Sequence, residues 1–151
     1  MLNFLFKIAS SIRKVYWFIR KPITIGVKVI VIADSKVLLI KNRYDKFWYL
    51  PGGGVKSGET ITDGAARELR EECGITPKEF KILGLYSNFL EYKSDHIILF
   101  CAYTTDQTLK KGLEIEKIGF FEITNLPADT SIATKKRIEE FSSGKTNGGK
   151  W

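Results

Sequence analysis

Three glutamates between residues 68 and 72 have a spacing that brings their carboxylates together on one face of a helix. Glu68, Glu71 and Glu72 occupy positions i, i+3 and i+4, and such neighbours lie about 5–6 Å apart at their Cβ atoms. Adjacent carboxylates repel one another, so the cluster favours a bound cation. Carboxylate oxygens suit Mg²⁺ or Mn²⁺, which usually keep several waters and bridge to substrate phosphates. Taken alone, the same three glutamates are also typical of a solvated helix face.

The loop before this segment fits the same chemistry. Gly52, Gly53 and Gly54 are consecutive, and glycines let a backbone turn sharply and approach another group closely. Arg67 directly precedes Glu68 and can orient that carboxylate through a charge-assisted contact. The loop therefore predicts backbone carbonyl oxygens or amides near the metal ions.

The segment from Gly53 to Ile75 resembles the Nudix box, the signature of the Nudix hydrolase family (MutT-like). That box is a glycine, five residues, a glutamate, seven residues, and then Arg-Glu-apolar-any-Glu-Glu-any-Gly-apolar. Its nine fixed places are filled here by Gly53, Glu59, Arg67, Glu68, Leu69, Glu71, Glu72, Gly74 and Ile75. Nine places at set spacing over 23 residues make a specific signal. A looser likeness extends from about Thr24 to Phe141.

The resemblance implies a Nudix-type αβα sandwich with a mixed β-sheet between helices. It implies hydrolysis of a pyrophosphate bond in a nucleoside diphosphate linked to another moiety, such as a nucleotide, a nucleotide sugar or a dinucleoside polyphosphate. It also implies Mg²⁺ or Mn²⁺ as cofactor. It implies metal ligation and catalysis by Glu68, Glu71 and Glu72, with catalytic support by Arg67. The Gly52 carbonyl is a further metal ligand, and Gly53 and Gly54 contact the substrate. Glu59 and Gly74 give structural support. Glu68 is the general base in some members.

Three further positions are candidates beyond the box. Many family members add one acidic metal ligand from a later loop, and Glu114 or Glu116 fits that place, with Glu114 favoured. Trp48 is a candidate for stacking on a nucleobase, although an aromatic residue in a strand is more often part of the core. Tyr92 lies near the place where some dinucleoside-polyphosphate hydrolases of the family have a tyrosine.

The apolar spacing predicts strands, a helix, further strands and a second helix. Alternation from Ile25 to Val31, a turn at Asp34-Ser35 and the run Val37–Ile40 predict a hairpin. Thr60 followed by Asp63 predicts the start of the acidic helix, and Gly74 predicts its end after Cys73. The remaining predicted elements are strands at 47–50, 80–88, 96–103 and 118–123 and a helix at about 130–141.

The ends of the chain differ from its middle. Residues 1–21 combine apolar positions at helical spacing with five cations and no acid, which predicts a basic amphipathic N-terminal helix. Such a helix can contact an anionic membrane surface, pack on the domain or form a homodimer. Residues 22–143 are predicted to form the catalytic domain, and residues 144–151 a flexible tail.

The net charge of +7 does not indicate a nucleic-acid partner, because it belongs to these ends. Residues 1–21 contribute +5 and the tail +2, which leaves 7 − 5 − 2 = 0 for residues 22–143. A nucleic-acid substrate is therefore disfavoured, although an RNA 5′-triphosphate stays an alternative. Another alternative is a catalytically weak nucleotide-sensing or membrane-recruited interaction module. The chain has only two cysteines, and their spacing is not that of a metal site, which favours a cytoplasmic location. Membrane contact through residues 1–21 would place the protein at the inner face of a membrane.

Overall fold

A mixed β-sheet forms the centre of the computed structural model, which describes residues 11–12, 15–90, 92–146 and 148–151. Its strands and helices are β1 (Ile23–Ala33), β2 (Lys36–Asn42), β3 (Trp48–Tyr49), α1 (Ile61–Cys73), β4 (Lys81–Asn88), β5 (Ser94–Tyr103), β6 (Ile115–Glu122), α2 (Ile132–Ser142) and β7 (Gly149–Lys150). The strands lie in the order β3-β2-β1-β5-β4-β7, and β6 pairs with β2. β1 runs antiparallel to β2 and parallel to β5, so the sheet is mixed.

The continuous apolar run at residues 29–33 of β1 explains why each face of the sheet carries a helix. Val27 and Val29 join one apolar core together with Leu69 of α1. Ile30 joins a second core together with Ile138 of α2. Successive side chains of a strand point to opposite faces, so a single strand contributes to both cores. This arrangement confirms the predicted αβα sandwich.

The elements predicted from the sequence lie within a few residues of those observed. Asp34 and Ser35 form the turn of the β1–β2 hairpin, and both have positive φ angles, 46° and 65°. The predicted strands at 47–50, 80–88, 96–103 and 118–123 correspond to β3, β4, β5 and β6, and the helix at about 130–141 corresponds to α2. Apolar patterns together with turn signals were therefore sufficient to place these elements.

Local signals fix both ends of α1. The Thr60 hydroxyl accepts a hydrogen bond of 3.1 Å from the backbone N–H of Asp63, as an N-cap residue does. At the other end Gly74 has a left-handed φ of 73°, and its N–H donates to the Arg70 carbonyl. The helix thus begins and ends as predicted, with Gly74 in its supporting role, and this places the acidic face toward the glycine segment.

The glycine segment at residues 51–55 is held against β1 by backbone hydrogen bonds. The Val27 N–H donates to the Gly53 carbonyl at 2.9 Å, and the Val29 N–H donates to the Pro51 carbonyl at 3.0 Å. The segment extends one edge of β1 much as a short strand would. The backbone of the glycines is therefore positioned by the sheet.

The prediction of a flexible tail at residues 144–151 is wrong for its last residues. β7 pairs in parallel with β4, and the Trp151 N–H donates to the Ser87 carbonyl at 2.9 Å. The Trp151 and Tyr86 rings meet edge to face, with centroids 5.6 Å apart. The Arg137 guanidinium lies 4.2 Å from the centroid of the Tyr86 ring. The partly buried indole of Trp151 thus packs against the core beneath α2 and holds the end of this segment on the sheet.

The helix predicted for residues 1–21 lies only partly within the described residues. Residues 15–20 are helical, and the Phe18 ring packs edge to face on Tyr92, with centroids 5.0 Å apart. This contact supports packing on the domain, one of the three predicted alternatives. Across the described residues, no helix is both long and apolar enough to cross a bilayer.

Candidate active site

A cavity of about 940 Å³ lies where α1, the glycine segment and the ends of several strands meet. This volume is within the range of small-molecule sites, about 300–1,000 Å³. The predicted site residues that line it are Gly52, Gly53, Gly54, Arg67, Glu68, Glu71, Glu72 and Glu114. The fold therefore brings to one cavity residues that are up to 62 positions apart in the sequence (114 − 52 = 62).

Glu72 is the carboxylate that the glycine segment holds directly. One of its oxygens accepts a hydrogen bond of 2.8 Å from the Gly52 N–H. Burial raises the pKa of Glu72 to about 7, and the nearby carboxylates of Glu68 and Glu114 act in the same direction. The Lys28 ammonium and the Gly52 N–H partly offset this rise. The ionised form of Glu72 is therefore costly here, and a cation would stabilise it.

Arg67 connects the acidic helix to the loop before it. Its guanidinium donates to Glu59 and to Glu68 at 2.6 Å each, and to the Gly54 carbonyl at 2.9 Å. A longer contact of 3.3 Å reaches Glu71. Hydrogen bonds from Arg67 lower the pKa of Glu59 to about 2, so Glu59 stays ionised. The predicted contact between Arg67 and Glu68 is present, and Arg67 also holds Glu59, which the resemblance placed in a supporting role.

Two of the three glycines lie where a side chain would be disfavoured. Gly52 has a φ of 129°, a region that other residues rarely adopt. A Cβ atom on Gly53 would lie only 2.8 Å from the carboxyl carbon of Glu68. The absence of side chains at these positions is therefore what lets the loop lie against the helix carboxylates.

Of the two later glutamates, Glu114 lies at the cavity and Glu116 is not among the described residues that line it. The loop that carries Glu114 is tied to both sides of the site. The Gly112 N–H donates to the Glu72 carbonyl at 3.1 Å, and the Arg43 N–H donates to the Glu114 carbonyl at 2.9 Å. The geometry therefore favours Glu114 as the later carboxylate of the site.

Lys28 is a residue of the cavity that sequence reasoning missed. Its ammonium donates to the carbonyls of Leu50 and Gly52 at 2.9 and 2.7 Å. Burial lowers the pKa of Lys28, and the carboxylates of Glu72 and Glu68 oppose that shift. A lysine within the otherwise apolar β1 was the available signal.

The two aromatic candidates do not lie at the cavity among the residues described. Trp48 is 9% exposed and packs edge to face on Phe121 in the core beneath α2. Its neighbour Tyr49 packs against the other core, because adjacent strand residues face opposite sides. Tyr92 is 60% exposed and packs on Phe18. Trp48 is therefore part of the core, the alternative that is more frequent for a strand aromatic, while the substrate role of Tyr92 stays a prediction.

The comparison with protein families agrees with this geometry. The model of the NUDIX domain matches residues 22–141. The chain belongs to the Nudix family.

Two similar proteins are named as a pyrophosphatase and a diphosphatase, and a third has a similar structure. An ADP-ribose pyrophosphatase of Methanocaldococcus jannaschii is 36% identical over 108 residues, which cover 68% of this chain and 64% of that protein. A putative 8-oxo-dGTP diphosphatase of Bacillus subtilis is 30% identical over 122 residues, or 80% of this chain and 81% of that protein. The MutT protein of Methanosarcina mazei has a similar structure, with a TM-score of 0.74 and 25% identity, covering 83% of this chain and 96% of that one.

The donor atoms of this Nudix site suit a hard divalent cation. Glu68, Glu72 and Glu114 place negative charge in one cavity, and Gly52 offers a carbonyl oxygen with two lone pairs, only one of which Lys28 uses. Within the described part of the chain, no group of three acidic, histidine or cysteine side chains is close enough to hold an ion as it stands. Arg67 and the Gly52 N–H occupy carboxylate oxygens instead. The site therefore fits a divalent cation by the type of its donor atoms and by its negative charge.

We expect the metal-free Nudix domain to be less stable at pH 8 than at pH 5. The folded-state pKa of Glu72, about 7, exceeds its ordinary value of about 4.5. The protonated side chain therefore contributes to the free energy of unfolding below pH 4.5, and this contribution is lost as the pH rises through 7. The loss is roughly 2–3 kcal/mol in the free energy of unfolding. Urea unfolding in EDTA would measure it, and Glu72→Gln isolates the contribution by difference. An identical pH dependence in both proteins would contradict this assignment.

Proposed function

We propose that this chain is a divalent-metal-dependent pyrophosphohydrolase of a small nucleoside diphosphate derivative. The observation that carries the proposal is the position of Glu68 and Glu72, held against the glycine segment with Glu114 at the same cavity. Family membership and the names of the relatives support the same reaction class.

The size of the cavity, about 940 Å³, supports a substrate larger than inorganic pyrophosphate. One part of the lining comes from Asn42, Tyr44 and Asp45 with the loop at 112–115. Another part comes from the starts of β1 and β5. The glycine segment and the glutamates also line this cavity. A nucleoside diphosphate linked to a second group fits such a cleft better than inorganic pyrophosphate does.

The roles follow from the contacts. When bound, Mg²⁺ or Mn²⁺ neutralises the pyrophosphate and lowers the pKa of a bound water. Glu68, Glu71, Glu72, Glu114 and the Gly52 carbonyl would hold the ions in this proposal. Arg67 orients the Glu68 carboxylate, which would accept the water proton as general base. Gly53 and Gly54 offer close backbone approach to the phosphates.

A hydrolysis screen tests the proposal. We expect Mg²⁺-dependent turnover of one class among ADP-ribose, nucleotide sugars, nucleoside triphosphates including 8-oxo-dGTP, dinucleoside polyphosphates and triphosphorylated RNA. Chromatography of the products would identify the bond that is cleaved, and EDTA provides the matched control. Turnover that persists in EDTA, or no turnover of any class by a protein that binds Mg²⁺, would contradict the proposal.

An RNA 5′-triphosphate is the second candidate substrate, because an RNA pyrophosphohydrolase of Histophilus somni is 40% identical over 65 residues. That match covers 43% of this chain and 34% of that protein. The formal neutrality of residues 22–143 favours the small nucleotide. Activity on RNA that falls steeply with added salt, while activity on free nucleotides does not, would favour RNA instead.

Three finer predictions remain open: contact of residues 1–21 with an anionic membrane, a homodimer, and a location in the cytoplasm. Part of this segment lies outside the described residues. Flotation of the intact chain with anionic liposomes would test the membrane contact.

A further inference from the structure

Part of the active-site cavity is lined by a residue that lies outside the family domain. Trp17 belongs to the helical residues 15–20, whereas the NUDIX model begins at residue 22. Its side chain nevertheless lines the same cavity as Glu68 and Glu72. The segment that precedes the domain is therefore part of the wall of the cleft.

The indole of Trp17 is held by contacts with the chain just before and at the start of β5. The Lys93 ammonium lies 4.4 Å from the centroid of the Trp17 ring, a favourable cation–π distance. Lys93 is in turn paired with Asp95 at 2.9 Å, and both side chains are only 15% exposed. The neighbouring contact of Phe18 with Tyr92 docks the same segment. The orientation of the indole is thus fixed by packing rather than by the backbone alone.

The surroundings of Trp17 combine apolar surface with hydrogen-bond acceptors. Ile25 and Ile97 line the cavity with it, and Asp95 accepts a 2.6 Å hydrogen bond from the Thr24 hydroxyl. A nucleobase has the complementary chemistry, a flat aromatic face and an edge with polar groups. The hydrolysis step proposed above uses none of these residues.

We propose that Trp17, presented by the segment before the domain, is the stacking wall for the nucleobase of the substrate. The nature of the ligand rests on the proposed function. Residues 15–20 are then a substrate-binding element of the enzyme, which gives this part of the N-terminal segment a role at the active site itself. Stacking of a base on an aromatic side chain is sequence-tolerant and contributes mainly to affinity.

Equilibrium binding of nucleoside monophosphates to the full-length chain tests the proposal. These compounds have no pyrophosphate bond, so calorimetry with Mg²⁺ present needs no turnover. We expect Trp17→Ala to weaken binding of the preferred monophosphate about tenfold or more. Trp17→Phe should recover most of the affinity. Tyr16→Ala, which changes an exposed aromatic residue of the same segment, should bind the monophosphate as the wild type does. Trp17→Ala should bind ribose 5-phosphate, which has no base, as the wild type does.

Several results would overturn the stacking role. Trp17→Ala could bind the monophosphate with unchanged affinity, or Tyr16→Ala could lose as much affinity for it as Trp17→Ala does. Trp17→Ala could also lose as much affinity for ribose 5-phosphate as for the monophosphate, or the wild type could bind no monophosphate. The hydrolysis screen is separate from these measurements. If the wild type hydrolyses a substrate and Trp17→Ala binds the monophosphate with unchanged affinity, the stacking role is wrong and the hydrolase proposal stands. If no substrate in the screen is hydrolysed but monophosphate binding depends on Trp17, the hydrolase proposal is wrong and the stacking role stands.

Discussion

Replacing Glu72 with glutamine is expected to lower kcat/KM for the preferred substrate by about a thousandfold. The amide retains an oxygen that can accept the 2.8 Å hydrogen bond from the Gly52 N–H. It removes the negative charge that, in the proposed mechanism, faces the metal ion. Steady-state kinetics and calorimetric titration with Mg²⁺ would show the loss of turnover together with weaker ion binding.

The same variant separates loss of chemistry from loss of fold. Because burial raises the pKa of Glu72 to about 7, removing its charge should leave the metal-free protein as stable at pH 8 as the wild type, or more stable. Glu139→Gln is the matched control, since it removes an exposed carboxylate from α2. Glu72→Gln with most of the wild-type activity would rule out Glu72 as a metal ligand.

The part of the site carried by α1 was predictable because its determinants are local. The spacing of Glu68, Glu71 and Glu72 depends only on helical geometry, and the caps at Thr60 and Gly74 set where the helix begins and ends. A motif of fixed spacing therefore translates directly into an arrangement in space. The sheet was predictable for a related reason, since apolar runs bounded by turn residues mark strands from local sequence alone.

The residues that were missed depend on contacts between distant segments. Lys28 joins the site only because the glycine segment pairs with β1, which brings the carbonyls of Leu50 and Gly52 to its ammonium. The sequence left Trp48 as either a stacking residue or a core residue, because the facing of a two-residue strand is set by its partners. Trp151 packs against the core because β7 pairs with β4, more than sixty residues earlier (149 − 86 = 63).

Replacement of Arg67 by glutamine should impair stability and activity together. Arg67 is 9% exposed and donates to Glu59, Glu68 and the Gly54 carbonyl. Without it, two largely covered carboxylates lose their shared cation, and removing one partner from such a group is strongly destabilising. We expect a loss of about 2–3 kcal/mol in the free energy of unfolding and a fall in kcat of about a hundredfold or more.

Chemical unfolding at pH 7.5 and kinetics on the residual folded protein would measure the two effects. Arg70→Gln, on the exposed side of the same helix, is the matched control and should change neither by much. The double variant Arg67→Gln/Glu59→Gln should recover part of the lost stability, because it removes one of the carboxylates left without a partner. Additive losses in the double variant would mean that Arg67 and Glu59 act independently, and the loop would then be held to the helix by packing rather than by this charge network.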